Sequence, residues 1–429
     1  MKKNVNIVVG QSGGPTTVIN SSLYGVVKEA MMTEGIDHIY GMINGIQGFI
    51  DDKMMDIVSE LGDDLELLKN TPAAYLGSCR YKLPEDFSNG IYSIIFNKFE
   101  KYNIKCFIYI GGNDSMDTVA KLSAYAARIA SDVKIIGVPK TIDNDLVHTD
   151  HSPGFGSAAK YVATTVRDIV LDANVYDTNS VTIVELMGRH AGWITAASVL
   201  ARKYVGDNPV LIYLPEVDFD VDTFVKDVEK KLADTNNVIV CVSEGIKDAT
   251  GKFICEYTGD AGTDTFGHKM LTGCGKYLEN VIKDRLGVKC RSVELNVNQR
   301  CKAVLASKTD VEEATMAGAY GVKTFVKGET GKMITFVRGE GSGYTVTCGT
   351  VDCSEVCNQE KVVPREWISE DGTDIKNEFI RKYKAGEFRK NKNATQQATT
   401  IEIQDAHFTV DKPWIIREPN YDYAARELE

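Results

Sequence analysis

Five short apolar runs, each ending in a polar or glycine-rich turn and each followed by a helical stretch, constrain this chain more than any other feature. The runs are VNIVVG, CFIYIGG, VTIVEL, PVLIYLP and VIVCVSEG, and the stretches after them span 15–32, 115–130, 190–202, 222–234 and 268–286. Apolar runs without alternation predict strands covered on both faces, hence an α/β fold with mainly parallel sheets. Ligands of such folds bind in the loops beyond the carboxyl ends of the strands. Past about residue 330 the texture changes. KMITFVRG and GYTVTCGTVDC read as a hairpin, 373–385 as an amphipathic helix, and GEFRKNKNATQQATT as an exposed polar loop, together an appendage to the second half of the fold.

The loops after the runs carry the chemistry. In GQSGGPTTVINSSL, residues 10–23, Gly13 and Gly14 permit close backbone approach and Pro15 suits a first helical turn. The helix start would favour an anion, although a plain strand-to-helix turn explains the loop equally well. In YIGGNDSMDTVAKL, two glycines precede Asn113, Asp114 and Ser115 at a helix start, with oxygen ligands of the kind magnesium takes; Asp114 or Ser115 serves equally as an N-cap. GVPKTIDND, residues 137–145, sets Lys140 beside Asp143 and Asp145. A cation suits phosphate, and the two carboxylates suit a base and a metal or water anchor, whereas a turn alone needs no lysine. VELMGRHAGWITAAS offers Gly188 for close approach and Arg189 for a bidentate grip, with His190 as a packing or capping residue. Glu244 ends a further strand, and Arg291 and Arg300 flank SVELNVNQ, where they fit a second phosphate or a structural ion pair.

Bulk numbers narrow the classes. With 429 residues and 43% hydrophobic content the chain can build two domains with real cores. A net charge of -11 argues against a general binder of nucleic acid or membrane surfaces. No apolar run reaches membrane-span length and the opening MKKNVNIVVG passes straight into a strand, so a cytoplasmic protein is expected. The ten cysteines form no Cys-x-x-Cys pair and read as reduced core thiols, Cys353 and Cys357 being the nearest approach to a redox or metal pair.

GGNDS, PKTIDND, HSPGFGSAAKY and ELMGRHAGW, in this order and at these distances, resemble the phosphofructokinase family, and within it the pyrophosphate-dependent branch. The resemblance runs from about residue 4 to 320. It implies two similar three-layer domains with the active site in the cleft between them. The donor domain would take 1–140 with part of 250–320, and the sugar-phosphate domain 141–250 with part of 285–429. It implies Asp143 as the base that takes the proton from the 1-hydroxyl of fructose 6-phosphate, with Thr141 beside the transferring phosphoryl. Relatives that use ATP carry glycine where this chain has Lys140 and Asp114; the lysine fits pyrophosphate, and the aspartate would repel the α-phosphate of ATP. Gly14 and Arg80 match donor-binding positions. Met187, Gly188, Arg189 and Glu244 match sugar-binding positions, and Arg291 and Arg300 the pair around the 6-phosphate. The family often draws such an arginine from a neighbouring subunit, which implies a homodimer or homotetramer with shared sites. Mg2+ is the implied cofactor, yet the aspartate that binds it in the family is Asn113 here, and an arginine of many ATP-using relatives is Ser180.

Three rivals stand beside a reversible pyrophosphate-dependent phosphotransferase. An ATP-dependent enzyme of the same fold is disfavoured by Asp114 and Lys140 together, and a non-catalytic sugar-phosphate-binding subunit by the retention of Asp143 with Lys140. A dinucleotide-binding oxidoreductase lacks its glycine fingerprint.

Overall fold

The computed structural model describes residues 4–202, 206–258, 273–340 and 344–383, with the backbone of two short strands at Gln404–Asp405 and Phe408–Thr409. The chain divides into two compact units. One takes residues up to Ser157 and returns for Arg300–Glu360; the other takes Ala158–Gln299 and the segment from Lys361.

The first unit is built on a sheet whose strands are β1 (Val5–Gln11), β2 (Ile36–Met42), β3 (Met54–Asp56), β4 (Ile104–Gly111) and β5 (Lys134–Pro139). β1, β2, β4 and β5 run parallel, and β3 closes one edge antiparallel to β2. The central strands are buried along nearly their whole length, as their unbroken apolar sequences predict. Helices cover both faces. On one, Ile19, Leu23 and Val26 pack against Ile7, Val9 and Ile108; on the other, Met116, Val119 and Leu122 pack with Phe99, Phe107 and Tyr109.

The Ile19–Met32 helix crosses the Lys308–Val326 helix with the two backbones almost touching. A Cβ on Gly25 would fall 2.0 Å from the Thr315 carbonyl oxygen, and one on Gly318 would fall 1.9 Å from that of Ser22. Only glycine permits this approach from both sides.

The second unit holds β6 (Ser180–Leu186), β7 (Leu211–Tyr213), β8 (Asn237–Ser243) and β9 (Lys289–Glu294), all parallel, in the order β7-β8-β6-β9. The Val221–Leu232 and Cys274–Leu286 helices pack on it through Phe224, Val228, Leu278 and Ile282.

Several expectations need correction. The hairpin is present as β10 (Lys332–Arg338) and β11 (Val346–Asp352), but it extends the first sheet, not the second half of the fold. β10 pairs in parallel with β5 through Lys332 with Ile136 and Met333 with Gly137. That pairing joins residues almost two hundred positions apart, which local sequence texture does not encode. The first unit also runs past residue 140, the expected end of the donor segment, to Ser157. The helix expected from 15 begins at Ile19, so Pro15 lies in the loop before it. The stretch 190–202 is a short helix, Trp193–Ala197, continued as a tighter turn. The 373–385 helix is Asn377–Tyr383 within the described residues, and GEFRKNKNATQQATT lies outside them, as do 268–272.

Candidate active site

In the first unit four loops at the carboxyl ends of β1, β4 and β5 and after β3 meet around the backbone of Gly13 and Gly14. Lys140 follows the last residue of β5 directly, and its backbone N–H donates to the Gly111 carbonyl, fixing it to the end of β4. Its side chain is 4% exposed and its Nζ donates to the Gly14 carbonyl at 2.6 Å. A Cβ on Gly13 would stand 3.3 Å from that Nζ, and one on Gly14 would stand 3.6 Å from the Arg300 guanidinium carbon. Thr17 Oγ1 donates to the Arg300 carbonyl and holds that segment in place. Ser78 Oγ donates to the Gly13 carbonyl and Gly13 N–H to that of Cys79, so the exposed Arg80 is carried to the same loop.

Burial pulls the Lys140 ammonium down to about 8, with Arg300 pushing the same way, against the pull of Asp143 and Asp145. Two cations, Lys140 and Arg300, thus stand together at the two glycines, an arrangement whose chemistry suits an anion.

The 141–145 loop is held by its own hydrogen bonds. Thr141, buried, accepts the Asp143 N–H on its Oγ1 and donates its own N–H to the Pro153 carbonyl. Asn144 adopts φ 54° and its Oδ1 accepts from Ser152 N–H. The 152–157 turn is in turn fastened by Asp310, which accepts from Gly154 N–H and from both N–H and Oγ of Ser157.

Neither expected cap operates on the Asn113–Arg128 helix. Gly112 occupies the N-cap, so Asp114 lies inside the first turn, exposed, with its carboxylate 3.4 Å from Lys82. Asn113, the expected metal ligand, has both amide atoms bonded to backbone: Oδ1 accepts from Asn358 N–H at 2.7 Å and Nδ2 donates to the Gln359 carbonyl at 2.5 Å. Among the described residues no cluster of three or more His, Cys, Asp or Glu side chains is arranged to hold a metal, the Cys353 and Cys357 pair included. A magnesium ion arriving with phosphate oxygens needs only one or two protein carboxylates. Asp114 and Asp143 are carboxylates of these two loops, and the Asn113 amide oxygen already accepts from the Asn358 N–H.

The second unit assembles Met187, Gly188, Arg189 and Glu244. Gly188 sits at φ 134°, a conformation that favours glycine, and its N–H reaches Glu244 Oε1 at 3.4 Å. Ser243 Oγ donates to the Gly188 carbonyl, and Met187 N–H donates to Oε1 of the buried Gln299 at 3.2 Å. Arg189 is half-buried and His190 exposed in the turn before the Trp193–Ala197 helix. Beneath that turn, Glu216 Oε1 accepts from Gly192 and Val363 N–H, and burial pushes its carboxyl up.

The two arginines expected around one phosphate are not brought together within a unit. Arg291 lies inside β9 and binds Asp172 and Thr182, whereas Arg300 belongs to the first unit beside Gly14. Sequence reasoning passed over Ser78, Ser243, Gln299 and Asp310. Asp310 was within reach: Ser307-x-x-Asp310 is a capping signature, and Ser307 does cap the Lys308–Val326 helix. The others are common residue types whose partners lie far along the chain.

Comparison with known proteins agrees with the geometry. The phosphofructokinase family matches residues 6–325. The pyrophosphate--fructose 6-phosphate 1-phosphotransferase of Halomonas elongata is 38% identical over 384 residues, covering 89% of this chain and 91% of its own. Two solved structures titled pyrophosphate-dependent phosphofructokinase share the fold. That from Marinobacter aquaeolei aligns at TM-score 0.78 and 35% identity over 88% of this chain and 91% of its own. That from Nitrosospira multiformis aligns at TM-score 0.80 and 33% identity over 91% and 95%. Loops, sheets and relatives agree, and the chain belongs to the phosphofructokinase family.

Proposed function

We propose that this enzyme transfers a phosphoryl group reversibly from pyrophosphate to the 1-hydroxyl of fructose 6-phosphate, giving fructose 1,6-bisphosphate and phosphate, a step of glycolysis and gluconeogenesis. The observation that carries the reading is the buried Lys140 ammonium held on the Gly14 carbonyl. A compact cation in that position matches a donor whose leaving group is bare phosphate.

The first unit is the donor half, with Gly14, Arg80 and Lys140 on pyrophosphate and Asp114 set against the α-phosphate of ATP. Arg300, whose guanidinium stands at Gly14 in this half, keeps its expected place with Arg291 at the sugar 6-phosphate. The second unit is the sugar half, with Met187, Gly188, Arg189 and Glu244 on fructose 6-phosphate and Arg291 on its phosphate. Arg291 must exchange Asp172 for that phosphate to serve there. Asp143 takes the 1-hydroxyl proton as the new O–P bond forms and the bridging O–P bond breaks, with the electron pair leaving on phosphate. Thr141 lies beside the group in transit. Alignment and charge stabilisation do most of the work in this chemistry. Magnesium, when bound, neutralises phosphate charge, with Asp114 and Asp143 as its available protein carboxylates.

No helix among the described residues is long and apolar enough to cross a membrane. Resemblance to the family supports a cytoplasmic homodimer or homotetramer, which light scattering of the purified protein checks.

The deciding experiment compares initial rates with pyrophosphate or ATP as sole donor, in wild type and in the Asp114→Gly, Lys140→Gly double variant. Turnover with pyrophosphate alone, lost in the variant, is expected. Turnover with ATP would return the donor question to the ATP-dependent reading, and tight sugar-phosphate binding without turnover would make this a regulatory subunit.

A further inference from the structure

The Asn113 side chain spends both of its hydrogen-bonding functions on one backbone turn. It accepts from the Asn358 N–H and donates to the Gln359 carbonyl. Only an amide can do both, because a carboxylate would accept the first bond and set a negative oxygen against the Gln359 carbonyl.

The turn it holds is itself built for the purpose. Asn358 adopts φ 63°, Gln359 N–H donates to the Val356 carbonyl, and Cys357 N–H donates to that of Cys353. Behind the turn, Cys353 and Val356 are fully buried in the cluster that includes Met116, and Cys353 Sγ lies 3.9 Å from Met116 Sδ. Met116 is three residues beyond Asn113 on the same helix. The 353–359 segment therefore lies along the first turns of the Asn113–Arg128 helix, and Asn113 fastens its far end at the helix start.

A cation directed at Asn113 Oδ1 would have to share that oxygen with the Asn358 N–H, whose positive end points at it. One of that oxygen's two lone pairs is thus already spent on the turn.

We propose that Asn113 is a positioning residue, a latch that fixes the 358–359 turn over the start of the donor-loop helix, and that it does not coordinate magnesium. With the latch closed the first helical turn cannot shift, and Asp114 keeps its place beside Lys82. The inference deepens the donor-site reading and rests on it for its kinetic consequence, though not for the latch itself.

Asn113→Asp and Asn113→Ala separate the two roles, because Asp improves a metal ligand and spoils a latch. Amide hydrogen exchange, followed by mass spectrometry on the ligand-free protein, reads the latch without any turnover. Both variants are expected to speed exchange in the peptide covering 354–361 several-fold, with melting temperatures recorded to confirm folding. In assays, both are expected to raise the KM for pyrophosphate several-fold and to leave the half-saturating magnesium concentration within twofold of wild type. Unchanged exchange in both variants would overturn the latch. A several-fold lower magnesium requirement in Asn113→Asp with a higher one in Asn113→Ala would restore Asn113 as a ligand. Wild type inert with pyrophosphate but showing the exchange difference would remove the functional reading and keep the latch.

Discussion

Lys140 holds its charge against burial, and that balance has a measurable edge. In the ligand-free protein its ammonium is pulled down to about 8, so the charge is present at pH 7 and lost as pH rises through that value. Pyrophosphate binding, measured by calorimetry without sugar phosphate, is expected to weaken by up to about tenfold between pH 7 and 9, as the charged fraction of Lys140 falls. Lys140→Arg, whose guanidinium stays ionised, should remove that step, and a step that survives in the variant would assign it to another group. At this scale the sequence was informative about residue types and silent about their engagements. Lys140, Asp143 and Gly188 stand in loops where their chemistry was expected. Asn113, at a helix start, and Arg291, inside β9, are each already bound to partners that lie far along the chain.

Among the elements, the Lys308–Val326 helix links the site to the rest of the first unit. Its Asp310 fastens the 152–157 turn beneath the base loop, and its Glu313 receives His151 Nε2 at 2.8 Å while Asp150 receives Nδ1. Arg338 of β10 completes the group by pairing with Asp150. Burial alone would lower the His151 imidazolium, but the bonds to Asp150 and Glu313 outweigh it and raise the group above its ordinary 6.5. The folded state therefore holds this proton more tightly than the unfolded chain. Its contribution is complete below pH 6.5 and lost as pH rises through the folded value. The melting temperature is expected to fall over that interval more steeply in wild type than in His151→Gln; equal slopes would mean that the histidine does not carry it. At the crossing of this helix with Ile19–Met32, Gly318→Ala puts a methyl into the Ser22 carbonyl. Backbone must move, at a cost of about 1–3 kcal/mol, read as a lowered denaturation midpoint with unchanged slope. Neither glycine was legible as a contact. The apolar runs revealed the strands and β10–β11 as a hairpin, while its place beside β5 depends on a pairing no local pattern contains.

On the scale of the molecule, each unit is assembled from separated stretches of chain, and this was the least legible level. The change of texture near residue 330 marked a new segment, but the affiliation of its hairpin follows from the open edge of β5, and the returning Lys308–Val326 helix covers a face of the Ile19–Met32 helix, both of which only a folded sheet displays. A chain ending at Gln299 would leave both uncovered. Such a truncation is expected to lose the cooperative melting of the first unit, and a truncated protein that melted as sharply as the full chain would show that the returning segment is dispensable.

The same interleaving sets a timetable for synthesis. When Ser157 leaves the ribosome, the sheet of the first unit has its central strands but lacks the strand and helix that close it, and these follow only after roughly 140 residues of the other unit. At about 5–20 residues per second the wait is on the order of ten seconds or longer. Throughout it, the nascent chain carries an unpaired strand edge and an apolar helix face, the surfaces through which unfinished proteins stick to one another and which chaperones shield. For this fold, the loop around Gly13 and Gly14 is made well before Arg300, the residue that comes to stand beside it.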